Sequence, residues 1–343
     1  MKKIFLPAIL ALAFIACKKD ENNNPAKTGK EVYTVGYSGN ANMPQTTTLW
    51  KGVTPTLYAI QGGEASATGV YVAGNDVYVA GWDEDPVTGN IVAQYWKNGT
   101  VVKLTDGKTM SGLTGIFVEG ANVYAVGYEY NTAGVQVAKY WKNGTAVALT
   151  NGSRQAAARA VMVVKNDVYV AGYEKNAAGN RVAKYWRNGT AVVLSEDTED
   201  MVANSIYVAG NDVYVAGDGF MGAESMAMYW KNAVMEKLTS GSTHGRANGV
   251  LVSGNDVYVV GYEQGDDANL VAKYWKNGRA VNLTNDEYTA QAFGIYVDGT
   301  DVYVCGNERN SAGMQVAKYW KNGTPFVLSD GTFSSRAVAI MVK

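Results

Sequence analysis

The chain of 343 residues is poor in the residues that build metal sites and covalent cross-links, with two cysteines, one histidine and six prolines. Two cysteines cannot make a disulfide framework, and a single histidine leaves no zinc site of the usual kind. We therefore expect no metal and no cofactor. The formal net charge of −1, with lysines spread along the chain, provides no basic stripe and argues against a nucleic-acid partner.

Hydrophobic runs are also short, except for residues 4–16 at the N-terminus. The tripeptide Ile15-Ala16-Cys17 that ends this run resembles the lipobox of bacterial lipoproteins, in which the cysteine is acylated after cleavage. The resemblance implies a signal peptide over residues 1–16, a lipid at Cys17 and a flexible tether over residues 17–30. An ordinary signal peptide cleaved nearby is the alternative. The acidic pair after Lys18-Lys19 resembles a surface-export tag, so we predict an outer-membrane lipoprotein exposed at the cell surface.

What the chain does have is a repeat. A tyrosine-tryptophan pair recurs every 44 or 45 residues, at Trp96, Trp141, Trp186, Trp230, Trp275 and Trp320. One copy, residues 115–150, divides into four β-rich runs bounded by turns, and Asn143-Gly144 suits the type I′ turn of a tight hairpin. Each period therefore predicts four antiparallel strands, the size of one propeller blade.

The chain ends predict how the array closes. After the sixth full copy, residues 336–343 match only a first strand, while residues 31–37, 47–51 and 55–60 match the other three. Joining these pieces completes a seventh blade and removes exposed sheet edges. The repeats resemble β-propellers in general and, loosely, kelch-type repeats. We predict an all-β, seven-bladed β-propeller over residues 31–343, closed by N- and C-terminal strands that share one blade and acting as a monomer.

Acidic and basic residues recur in a paired pattern. A glutamate ends the second strand of four copies, and a lysine follows ten residues later on the third strand, at positions 129/139, 174/184, 263/273 and 308/318. Where the glutamate is replaced by Gly219, the lysine position holds Met228. Residues that change together across copies indicate cross-strand neighbours. We interpret these charges as structural and not as a catalytic or calcium-binding ring.

Function is expected where the copies differ. Aligning the first strands places variable, often polar residues near the channel mouth, and the candidate ligand-binding set is Arg159, Asn204, Arg246, Asn248, Gln291, Phe293 and Arg336. Arginine and amide side chains suit a carboxylate or sugar hydroxyls. The alternative is that the arginines merely cap a wet channel. A second candidate is the deviant fourth full copy, where Phe220 and Met221 predict a partner-docking surface.

Catalytic motifs are scarce. His244 stands alone, no Gly-x-Ser-x-Gly pattern accompanies it, and Cys305 occupies a small core position of the repeat. We therefore predict a non-catalytic, surface-anchored binding module that recognises a glycan or a protein. The alternatives are a protein-protein scaffold that docks through the deviant copy, and a polysaccharide-active hydrolase or lyase.

Overall fold

The computed structural model describes residues 29–40, 43–58, 63–220, 225–240 and 243–343. Across these ranges the regular structure is β: seven four-stranded antiparallel sheets, numbered here as blades 1 to 7. None of the described segments is a helix that could cross a membrane. Residues Glu31–Lys343 form one compact unit. The prediction of an all-β, seven-bladed propeller is confirmed.

Blades 1 to 4 have the following strands, given from the channel outwards. Blade 1 consists of β28 (Ser334–Val342), β1 (Val32–Asn40), β2 (Met43–Lys51) and β3 (Thr54–Leu57). Blade 2 consists of β4 (Ala65–Ala73), β5 (Asp76–Glu84), β6 (Ile91–Lys97) and β7 (Thr100–Lys103). Blade 3 consists of β8 (Ser111–Glu119), β9 (Asn122–Tyr130), β10 (Gln136–Lys142) and β11 (Thr145–Ala148). Blade 4 consists of β12 (Ala156–Val164), β13 (Asp167–Lys175), β14 (Arg181–Arg187) and β15 (Thr190–Val193).

Blades 5 to 7 follow the same order. Blade 5 consists of β16 (Asp200–Ala209), β17 (Asp212–Phe220), β18 (Ser225–Lys231) and β19 (Val234–Lys237). Blade 6 consists of β20 (Gly245–Ser253), β21 (Asp256–Gln264), β22 (Leu270–Lys276) and β23 (Arg279–Asn282). Blade 7 consists of β24 (Ala290–Asp298), β25 (Asp301–Arg309), β26 (Gln315–Lys321) and β27 (Thr324–Val327).

The recurring Asn-Gly turn joins the two outer strands of a blade and is tied to the second strand. Asn98 and Gly99 both have positive φ, 50° and 82°, which these two residue types tolerate best. The Asn98 side chain accepts a hydrogen bond from the Val77 amide and donates one to Asp76, both at 2.8 Å. One asparagine thus connects two turns, which explains why it recurs in almost every copy.

The hydrophobic core lies between the blades. Each blade buries one tryptophan from its third strand at 1% exposure or less, namely Trp50, Trp96, Trp141, Trp186, Trp230, Trp275 and Trp320. Trp186 of blade 4 packs with Tyr124 and Val126 of blade 3, and Trp230 of blade 5 packs with Tyr169 of blade 4. Every tryptophan therefore fills the gap to the preceding blade, and the repeat of the sequence is the repeat of these interfaces.

Blade 1 closes the ring as predicted. Strand β28 pairs with β1 from Val32↔Val342 to Gly39↔Ser334. Beyond the last pair, the Glu31 amide donates to the Lys343 carbonyl at 2.7 Å, and the Lys343 amide donates to Glu31 at 2.9 Å. The observed β1 and β2 are longer than the predicted segments, and part of the predicted fourth strand, residues 59–60, lies outside the described residues.

The four predicted Glu-Lys pairs form, between diagonal neighbours of the second and third strands. The Nζ–Oε2 distances are 2.6 Å for 139/129, 2.7 Å for 184/174 and 2.8 Å for 273/263, and Lys318 pairs with Glu308 in the same way. These charged groups are largely shielded from water by the hairpin itself. Their partners account for them, so they do not form a ring of free carboxylates.

Candidate functional site

The inner strand of every blade carries a β-bulge at the same place. In blade 2, Ala67 pairs with Gly81 and Gly69 pairs with Ala80, so Thr68 is the extra residue. The seven bulge residues are Thr68, Thr114, Arg159, Asn204, Asn248, Phe293 and Val338. A bulge bends the strand and redirects a side chain. These seven residues therefore form a ring around the channel.

The bulge ring lies between two cavities. One cavity of about 260 Å³ is also lined by Tyr37, Ser66 and Ala67, and we call this side the mouth. The other, of about 230 Å³, lies deeper and is also lined by apolar residues of the inner strands, such as Val70 and Ile116. All seven bulge residues line both cavities. The ring is therefore the passage from the mouth into the channel.

The polar ring residues make contacts between blades. Thr114 donates to the Ala158 carbonyl at 2.9 Å, Asn204 to the Ala247 carbonyl at 2.9 Å, and Asn248 to the Ala292 carbonyl at 2.8 Å. Each acceptor precedes the bulge of the next blade, where the strand ladder is interrupted and a carbonyl needs another partner. The expectation that polar residues here take no part in packing with a neighbouring blade was therefore wrong.

Arg159 is the one cation of the bulge ring. Its Cζ lies 5.7 Å from the centroid of the Tyr173 ring, a cation-π distance. Its Nε is buried and has no hydrogen-bond partner, and in the described part of the chain no carboxylate pairs with it. Burial lowers the pKa of Arg159. A buried guanidinium without an acceptor is rare in folded proteins and indicates a site for a ligand oxygen.

Arg246 is neutralised by a carboxylate of the neighbouring blade. Its Nε lies 3.0 Å from Asp218 Oδ1, and the Asn204 side-chain amide donates to the same oxygen at 2.5 Å. In other blades the position of Asp218, directly after the glycine of the second strand, holds an aromatic residue such as Tyr37 or Tyr173. Sequence reasoning missed Asp218, although this break in the aromatic pattern was a visible signal.

Arg336 lies on a different side of the mouth. Its Cζ is 5.0 Å from the Phe293 ring centroid and 5.9 Å from that of Tyr37, and its Nη2 lies 3.5 Å from Gln291 Oε1. The structure thus brings Arg336, Gln291 and Phe293 together and pairs Arg246 elsewhere. None of Arg246, Gln291 and Arg336 lines either cavity, because the bulge interrupts the alternation that predicted one common face.

The remaining candidates lie apart from the channel. Phe220 ends β17 and is 43% exposed, while Met221 and Cys17 fall outside the described residues. The exposed His244 has its Nδ1 3.4 Å from Ser225 Oγ, and neither residue lines the cavities. Within the ranges that the structure covers, no cluster of three histidine, cysteine or acidic side chains could hold a metal ion.

Comparison with known proteins relates this fold to propellers of peptidases. No family model matches the sequence, and no curated protein is similar to it in sequence. The chain is similar to the β-propeller domain of the trilobed protease from Pyrococcus furiosus, with 10% identity and a TM-score of 0.54, over 88% of this chain and 95% of that one. That domain is described as having an open velcro topology, whereas here β28 and β1 pair in one sheet.

Two whole peptidases are also similar. Acylaminoacyl peptidase from Pyrococcus horikoshii shows 10% identity and a TM-score of 0.55, over 89% of this chain and 52% of that one. A puromycin-hydrolyzing peptidase from Mycobacterium tuberculosis shows 9% identity and a TM-score of 0.57, over 87% and 52%. The chain therefore spans about half the length of these two enzymes. At these identities the likeness shows the fold alone.

These likenesses correct the functional prediction from the sequence. A non-catalytic, surface-anchored module for glycan or protein recognition was wrong as the main interpretation, since the solved propellers named here belong to peptidases. The physical reason is that the repeat reports how blades pack against one another. Residues that pack blades are shared by propellers of many functions and do not identify the reaction that a propeller serves.

Proposed function

We propose that this propeller serves peptide hydrolysis by binding peptides at the mouth of its channel, as the peptide-binding part of a peptidase. The observation that carries the proposal is the mouth itself, where buried guanidinium groups and aromatic rings surround a passage through the bulge ring. The likeness to peptidase propellers supports it. The proposal concerns binding and assigns no hydrolytic residue to the propeller.

The chemistry of the mouth suits a peptide chain. Peptides offer carbonyl and carboxylate oxygens, for which arginine is a donor with several N–H groups in a fixed geometry. Their side chains can pack against the faces of Phe293 and Tyr37, which line the mouth. Aromatic and arginine side chains are the residues that most often dominate binding energy at protein surfaces. Apolar contact and polar donors thus occur in one concave site.

Peptide binding and its location are testable with one variant and one control. N-acetylated tetrapeptides with an aromatic third residue should bind the full chain saturably in the millimolar range or tighter, measured by calorimetry. Phe293→Ala should weaken binding about fivefold or more, because it removes an aromatic wall of the mouth. Phe326→Ala is the control, since Phe326 belongs to the same blade but stacks on Tyr319 at 4.7 Å away from both cavities.

Two results would contradict the proposal. One is no binding of any such peptide, with a free or an amidated C-terminus, at about 1 mM or above. The other is equal weakening by both substitutions in folded protein, which would place the peptide somewhere other than the mouth.

We also propose that Cys17 carries a lipid that holds the protein at the outer membrane. The support is the sequence Ile15-Ala16-Cys17 after an apolar run. Mass spectrometry of the mature N-terminal peptide should show an acylated cysteine, and Cys17→Ser should lose the label from a fed fatty-acid analogue. An unmodified Cys17 in the mature native protein would contradict this proposal.

A further inference from the structure

We propose that Arg159 binds the free C-terminal carboxylate of a peptide that enters the channel end first. This inference rests on the proposed function and adds which part of the peptide is recognised. It makes Arg159 the anchor, in place of the predicted group of Arg246, Gln291 and Arg336.

The charge balance around Arg159 leaves it as the cation without a partner. The charged groups and the phenol that face it are Arg181, Arg246, Asp218 and Tyr173. Arg181 is held by Asp200 through Nε and Nη2, both at 2.8 Å, and Arg246 by Asp218 at 3.0 Å. Two arginines are thus matched by two aspartates, and the guanidinium of Arg159 remains. A buried charge without its counter-charge is strongly unfavourable, so an anionic ligand is stabilised here.

The mouth already holds one carboxylate of its own. Asp218 Oδ1 receives the Asn204 side-chain amide at 2.5 Å and the Arg246 Nε at 3.0 Å. Asn204 is the bulge residue of blade 5, and Arg159 is the bulge residue of blade 4. Bulge residues therefore lie where their side chains meet a carboxylate. Asp218 shows the kind of group that Arg159 lacks.

The position of Arg159 favours a chain terminus over a side-chain acid. It lines both cavities and so belongs to the wall of the passage, below the mouth. A peptide that enters end first reaches this depth with its last residue while the rest of the chain stays in the mouth. An N-terminal ammonium group would be repelled by the guanidinium, whereas a C-terminal carboxylate accepts its N–H groups in a charge-assisted hydrogen bond.

The test compares two peptides that differ only at the C-terminus. N-acetyl-Ala-Ala-Phe-Ala as the free acid should bind the full chain at least about tenfold tighter than the same peptide as the amide, the range expected for hydrogen bonds to a charged group. In Arg159→Gln the ratio of the two dissociation constants should fall to about one. Equal binding of acid and amide to the wild-type chain would overturn the inference and leave peptide binding standing. Binding of neither peptide would overturn the proposed function.

A matched control removes a different arginine from the same blade. Arg187 also lies over a tyrosine, with its Cζ 5.4 Å from the Tyr169 ring centroid, but it is paired with Asp167 and lines neither cavity. Arg187→Gln should keep the tenfold preference for the acid. Loss of the preference in this variant would show that general charge, and not Arg159, is responsible.

A second variant tests the same site without touching Arg159. Asp218→Asn keeps an oxygen for the Asn204 amide but releases Arg246 and removes a negative charge near Arg159. The free-acid peptide should then bind about threefold tighter or more, whereas the amide should change little. An unchanged or weaker affinity for the acid would contradict a carboxylate site at this place.

Discussion

Deleting residues 334–343 should abolish the cooperative unfolding transition of this protein. The deletion removes β28, the channel-side strand of blade 1, and with it the pairing that joins both ends of the chain. It also removes Ala337, Ile340 and Val342 from the cluster that covers Trp50. The remaining β1 would expose an unpaired edge next to the core, and an open array has no neighbour for its last interface. Circular dichroism during heating measures the loss.

The expected loss is large because several kinds of stabilisation disappear together. Stability of a domain is the small difference between large terms, of the order of 5–15 kcal/mol, and a nine-residue strand with three buried apolar side chains contributes a comparable amount. A control without Lys343 alone removes only the terminal backbone pair with Glu31 and should melt cooperatively. A synthetic peptide of residues 334–343 should restore the transition of the shortened chain. A shortened chain that melts normally by itself would refute the closure.

Gly127→Ala should destabilise the fold by about 3 kcal/mol or more, which lowers the melting temperature by roughly 6 to 12 °C for a chain of this size. Gly127 faces the residue before the bulge of blade 3, since Leu113↔Gly127 is the last pair before Thr114. A methyl group there would overlap the Gly112 carbonyl oxygen and lie 2.9 Å from the Leu113 Cα. Both are backbone atoms and cannot turn away as a side chain would.

The matched control for Gly127 is a glycine two pairs away. Gly115 lies on β8, and its equivalents in blades 4 and 1 are Ala160 and Ala339. A methyl group at Gly115 would approach the nearest backbone atom, the Arg159 carbonyl oxygen, at 3.3 Å. Gly115→Ala should therefore cost about 1 kcal/mol or less. Equal costs for the two substitutions, measured by denaturant unfolding, would contradict the role assigned to the bulge.

The architecture followed from sequence because its signals are local and repeated. The tryptophan period of 44 or 45 residues, the Asn-Gly turns and the split repeat at the two ends predicted seven blades and their closure. Each signal reflects short-range physics, namely strand alternation, a turn that needs positive φ, and one large side chain per interface. The Glu-Lys pairs were likewise predictable, because both residues belong to one hairpin.

The candidate site was predicted only in part. Arg159, Asn204, Asn248 and Phe293 were placed at the channel and do line it, since they share one position of the repeat. The pairing of Arg246 with Asp218 was missed, and so was the separation of Arg246 from Arg336. Both follow from the bulge, which shifts the register by one residue and ends the period-two pattern on which the prediction relied.

By itself the sequence determined the number of blades, the strands of each blade and the way in which the ring closes. It could do so because these features depend on contacts within one copy and between identical neighbouring copies. Only the tertiary structure decided which arginine remains without a counter-charge. That depends on side chains of blades 4, 5 and 6, which are some 45 residues apart in sequence and meet only when curvature of the ring brings seven bulges to one axis.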